Sequence, residues 1–134
     1  MKIRFAILAA VFLSVVSAAT IAAHHDVLAK FDSDKEVTIT GTVIQVQWQN
    51  PHASFVIDLK EAGGKVVSWQ VELAPPHLLS NVGVTRDTIA VSSSLTVTMW
   101  PARDGSHIAT GRMLKFPNGK QLKVGDALGW KQFP

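Results

Sequence analysis

From Glu36 onward the chain alternates between apolar and polar positions. Val37, Ile39, Gly41 and Val43 are interleaved with Thr38, Thr40 and Thr42, the two-residue period of a strand buried on one face. After Val43 the phase slips by one. Ile44, Val46 and Trp48 become the apolar set, with Gln45, Gln47 and Gln49 opposite. A one-residue slip inside a long strand predicts a β-bulge or sharp bend, near which Gly41 fits, and a change of partner midway. Asn50-Pro51 ends this strand. Residues 52–59 resume the alternation with Ala53, Phe55, Ile57 and Leu59 on one face. Residues 61–65 form a hairpin connection, in which glycine supplies the positive φ of a tight turn. A third strand follows, with Val67, Trp69, Val71 and Leu73 buried and Ser68, Gln70 and Glu72 opposite.

The period then changes. Pro75-Pro76 opens a segment over residues 77–82 that stops at Gly83, with proline at the start and glycine past the end as a short helix prefers. Leu78, Leu79 and Val82 share one face at its three- and four-residue spacings. A fourth strand spans residues 95–100, a turn with Asp104-Gly105 follows over 101–106, and a fifth strand spans 107–116. Pro117-Asn118-Gly119 turns the chain into a short last strand over 120–124, and residues 125–134 show no periodicity. Three strands, a short helix and two further strands with a hairpin extension predict an all-β fold. The best match is a small OB-fold-like Greek-key barrel with one short helix between strands 3 and 4. Another small antiparallel barrel or a sandwich is the alternative.

Before these strands lies a segment of different character. Lys2 and Arg4 precede an apolar run over residues 5–16 and a small-residue stretch over 17–23, the three parts of a secretory signal peptide. The apolar run is short for a spanning helix, so the processed protein is expected to be exported, periplasmic or extracellular, without stable membrane insertion. Cleavage after Ala19, Ala22 or Ala23 satisfies the small-residue rule. Residues 1–23 are thus read as signal and 24–35 as a polar N-terminal arm with an apolar cluster of Val27, Leu28 and Phe31. Residues 36–124 form the barrel and 125–134 a tail.

This division changes the meaning of the composition. The 134 residues are 47% hydrophobic, much of it in the signal, and make one domain. The formal charge of +3 comes from 13 basic and 10 acidic residues. Losing Lys2 and Arg4 leaves about +1, no footprint for a polyanion, so nucleic acid is not an expected partner. With no cysteine, disulfides, thiol catalysis, zinc ribbons and iron–sulfur clusters are excluded.

Six segments carry a resemblance: Ala23-His24-His25, Phe31-Asp32, Gly41-Thr42-Val43, Trp48-Gln49-Asn50-Pro51-His52, Trp69-Gln70-Val71-Glu72-Leu73 and Pro101-Ala102-Arg103-Asp104-Gly105. Together they resemble a family of short exported bacterial proteins carrying only a domain-of-unknown-function label. The resemblance covers almost all of the mature chain and implies a secreted single-domain β protein. It brings no activity, so no catalytic residue is carried over. Val84 departs from the pattern, which has a bulky aromatic there.

The candidate chemistry is histidine: His24, His25, His52, His77 and His107. Imidazole is the commonest metal ligand. Cleavage after Ala23 would give His24 a free α-amine beside its ring, and His52 would add a third nitrogen in a geometry suited to copper. The metal set is therefore His24, His25 and His52, holding copper or zinc; alternatively, the N-terminal pair is solvated and His52 caps its loop through the backbone. His52 and His107 flank the two loops that border OB-fold ligand sites, and could approach one another. His77 is read as a surface residue. Glu72 is a carboxylate ligand or an ion-pair partner of Arg86 or Arg103. Trp48, Trp69 and Trp100 are stacking platforms or core, as Met99 and Met113 are soft ligands or core. Asp32 and Asp34 lie in the polar arm. There is no Gly-x-Ser-x-Gly, phosphate loop or His-Glu-x-x-His, and the chain reads as a non-enzyme. The competing class is a non-metal binding module for a glycan, a lipid-linked precursor or a protein, with an exposed groove between the two loops lined by aromatic or amide side chains such as Gln45, Gln47 and Gln49. A structural accessory with an envelope protein partner is a third.

Overall fold

A computed structural model describes residues 27–128. The chain divides into two compact units, residues 1–30 and 31–134. Of the first, residues 27–30 are described and are helical; the signal segment, His24 and His25 lie outside the described residues, as does the tail from 129. Phe31 belongs to the second unit, 2% exposed and bridged to Ala102, because a large apolar ring gains more from burial than from an exposed arm.

Strand β1 spans Val37–Gln47 and follows the alternation: Ile39 and Val43 are buried and the threonines exposed. It pairs antiparallel with β4 (Ser94–Pro101) from Val37↔Met99 to Thr42↔Ser94, and with β2 (Ser54–Lys60) from Thr42↔Asp58 to Gln47↔Ser54. The expected change of partner occurs at Thr42. At Gly41 a Cβ would collide with the backbone oxygen of Asp58, so no other residue fits where the strands approach this closely. The bulge is present too, since the register passes from Val43↔Ile57 to Gln45↔Val56. Its consequence for Ile44 corrects the expectation: Ile44 is 46% exposed. The extra residue of a bulge has no partner opposite it, and here it is Ile44 that leaves the inward face. Val46 and Trp48 pack against the core as expected.

The hairpin after β2 closes with the Glu61 N–H donating to Lys65 O and the Gly64 N–H to Glu61 O. Strand β3 (Val66–Glu72) pairs with β2 along its full length. The short helix Pro76–Leu79 runs into a 3-10 turn, Ser80–Val82, and Gly83 ends it at φ 79°. Leu79 and Val84 are fully buried, so valine fills the site where a larger ring was the pattern.

Strand β5 (Ile108–Lys115) pairs antiparallel with β4, with a register shift that leaves Arg112 as the extra residue between Gly111 and Met113. Its start lies parallel to β3, at Gln70↔Ile108, Val71↔Ala109 and Glu72↔Thr110. That pairing closes five strands into a barrel in the order β1, β2, β3, β5, β4, the predicted OB-like architecture. Phe55, Ile57, Leu95, Met99 and Leu114 fill its interior. Strand β6 (Gln121–Leu122) extends β5. Next comes a 3-10 turn, Val124–Leu128, for which the aperiodic tail gave no sign; Val124 is part of the core.

Candidate functional site

The loop between β1 and β2 is tied to the end of β3. Ala53 N–H donates to Ala74 O, and Leu73 N–H to Ala53 O. This holds His52, which is exposed, with its Nδ1–H donating to Leu73 O at 3.0 Å. A carbonyl only accepts, so Nδ1 carries the proton, and in the neutral ring the lone pair is on Nε2. His107 instead stacks on Trp69, with ring centroids 4.9 Å apart and tilted by 37°. His77 is exposed on the short helix, as expected. Each of the two loop histidines thus has its own neighbour on β3 or just past it. Among the described residues no three of His, Cys, Asp and Glu group together to hold a metal ion.

Among the charged candidates, Arg103 places Nη1 3.4 Å from Asp32. Lys35 lies 3.7 Å from the same carboxylate, and Asp34 donates its N–H to it at 3.4 Å. Asp32 therefore anchors the start of the second unit against the β4–β5 turn. Trp48 and Trp69 are half-buried against the core, and Trp100 is only 3% exposed. The Arg112 guanidinium lies 4.1 Å over the Trp100 ring, a cation–π contact. Burial lowers the Arg112 pKa, and the charges of Asp126 and Glu36 oppose that shift. Met99 is core and Met113 half-buried.

What converges is the amides. The outward positions of three paired strands fall into rows, Gln45↔Val56↔Gln70 and Gln47↔Ser54↔Glu72. Gln45, Gln47, Ser54, Phe55, Val56 and Gln70 line a hollow of about 110 Å³. Ser54 Oγ–H donates to Gln47 Oε1 at 3.4 Å, which leaves the Gln47 amide nitrogen as a donor. Gln45 and Gln47, expected to line a groove between the two loops, line a hollow on the strands instead, with no residue of the β4–β5 turn in its lining. Gln49, beyond the strand end, is exposed but does not line the hollow. Ser54 and Gln70 were missed as site residues. Their polar phase was visible in the sequence, but their place beside Gln45 depends on register, and the bulge sets the register.

The residues lining the hollow itself are amides, a hydroxyl and apolar groups, and the amides and hydroxyl can recognise a ligand by hydrogen bonding. A family model described as a family of unknown function (DUF6152) matches residues 11–112 of the chain. No curated protein matches it.

Proposed function

We propose that this chain, which belongs to DUF6152, is an exported binding protein rather than an enzyme, with the outer face of β1, β2 and β3 as its recognition surface. The observation that carries the reading is the convergence of Gln45, Gln47, Gln70 and Ser54 on one hollow. An amide offers both a donor and an acceptor, as does each hydroxyl of a sugar, so the fitting ligand is an uncharged saccharide. A hollow of about 110 Å³ is well below the ~300 Å³ of a drug-sized site. It takes one substituent, with the ring lying across the strands. Export rests on the basic, apolar and small-residue series over residues 1–23. Titration of the processed protein with uncharged disaccharides, one of glucose and one of N-acetylglucosamine, tests the reading. The side-chain amide signals of Gln45, Gln47 and Gln70 should shift, and Gln70→Leu should weaken binding about tenfold, the loss of one hydrogen bond. Unmoved amides with both sugars would end it.

A second reading is favoured by one observation, the Nδ1–H of His52 held by Leu73 O. Metal-binding histidines donate one ring N–H to such an outer partner and coordinate through the other nitrogen. In this reading His52 offers Nε2, and His24 and His25 are the further ligands named by the sequence. An all-nitrogen set suits copper, with zinc next. Calorimetry with copper on the processed protein separates the two readings. Copper affinity should fall with His52→Ala and with His24→Ala while Gln70→Leu leaves it unchanged; equal affinity in all four proteins rejects the metal.

A further inference from the structure

On the other half of β1 the outward positions stand directly opposite those of β4: Thr38↔Thr98, Thr40↔Thr96 and Thr42↔Ser94. The first two pairs join through their hydroxyls, at 3.0 Å and 2.8 Å. One proton closes each pair, so each keeps a second proton to donate and lone pairs to accept. Threonine is stiff at χ1, and both strands are fixed by the ladder, so these oxygens are held in place. Next to Thr40 and Thr96 the face opens into a hollow of about 260 Å³, lined also by Ser94, Lys115, Phe116 and Pro117. Strand pairing sets Lys115 opposite Thr96. Phe116 packs against the core, and its turn is closed by the Phe116 N–H donating to Lys120 O and the Gly119 N–H to Phe116 O.

The wall thus presents three hydroxyls, one ammonium and an apolar edge, with no acidic side chain in the lining. We propose that this hollow is a second binding site, for a small polyhydroxylated carboxylate of the hexuronic acid class. The carboxylate meets Lys115, the ring hydroxyls meet Thr40, Thr96 and Ser94, and the C–H face of the ring packs on Phe116 and Pro117. One cation balances one carboxylate and leaves a phosphate dianion half-neutralised, which selects the carboxylate. The volume lies just under the ~300 Å³ at which drug-sized ligands begin, room for one ring. The site does not rest on the amide face. It uses the Val37–Thr42 half of β1, and the amide hollow uses the half beyond the bulge.

The test is an NMR titration of the isotope-labelled processed chain with galacturonate, galactose and acetate in parallel. Galacturonate should shift the amides of Thr96, Lys115 and Gly119, and bind at least about tenfold more tightly than galactose or acetate, since each lacks one half of the recognition. Lys115→Gln, an exposed position, should reduce galacturonate to the level of galactose. The double variant Thr40→Val, Thr96→Val should reduce it to the level of acetate. No shift with galacturonate, equal binding of all three, or binding unchanged in Lys115→Gln each overturns the site. The amide-face reading is decided separately, by the signals of Gln45, Gln47 and Gln70 under uncharged sugars.

Discussion

Arg112 shows how much a single side chain depends on its surroundings. As the extra residue of β5, it lies on the Trp100 ring and so near Gly125 that a Cβ there would collide with its guanidinium. Burial works against its charge, and Asp126 and Glu36 offset part of that cost. A lowered pKa in the folded state means the unfolded chain holds this proton more tightly. Stability therefore rises with pH only in the strongly alkaline window between the folded value and arginine's ordinary one. Below that window the penalty is constant, and Arg112 adds no slope to stability between about pH 5 and 9. Arg112→Met keeps the stem on Trp100 and removes the charge, and should lie within about 1 kcal/mol of the parent in urea unfolding. Arg112→Ala loses the packing as well and should cost about 2 kcal/mol or more. Neither contact was legible in the sequence. Trp100 was a strand residue of open role, and the residue opposite it depends on a bulge that Gly111 and Met113 do not announce. His52 is the intermediate case: its loop was plain from Asn50-Pro51, but its partner Leu73 lies 21 residues away and only folding brings them together.

At the scale of elements, the two-residue period made β1, β2 and β3 legible almost to their ends, because one buried face forces the alternation. The bulge was legible for the same reason. Which residue it expels was not, since Val43 and Ile44 are both apolar and the slip falls between them. The structure separates them sharply, with Val43 fully buried and Ile44 46% exposed. Ile44→Lys should therefore change unfolding free energy by no more than about 0.5 kcal/mol. Val43→Lys would bury an unpaired ammonium and should leave no folded protein by circular dichroism. The 3-10 turn Val124–Leu128 escaped notice because so short an element shows no period; its burial comes from β5 and the helix beside it, which are remote in sequence.

Across the whole molecule, element order indicated the barrel, but nothing local marks its closure. The β3–β5 seam joins strands far apart in the chain and consists of three parallel pairs, against seven between β2 and β3. Parallel pairing is also slightly weaker per residue. Native-state hydrogen exchange should therefore find the Gln70 amide, which donates to His107 O across this seam, opening at lower free energy than the Ile57 amide within the β1–β2–β3 meander. Equal protection would mean that the barrel opens only as a unit. The strand that serves both halves has a different consequence. β1 gives its first half to β4 and its second to β2, while residues 85–88, with Arg86 and Asp87 exposed, lie on the only covalent path from β3 to β4. Cut between Arg86 and Asp87, the chain becomes a meander with an open edge along Val37–Thr42 and a hairpin shaped to cover it. The barrel is in effect a complex of two pieces kept together by a tether. What the tether supplies is effective concentration, and severing it would turn folding into recognition between two separable parts.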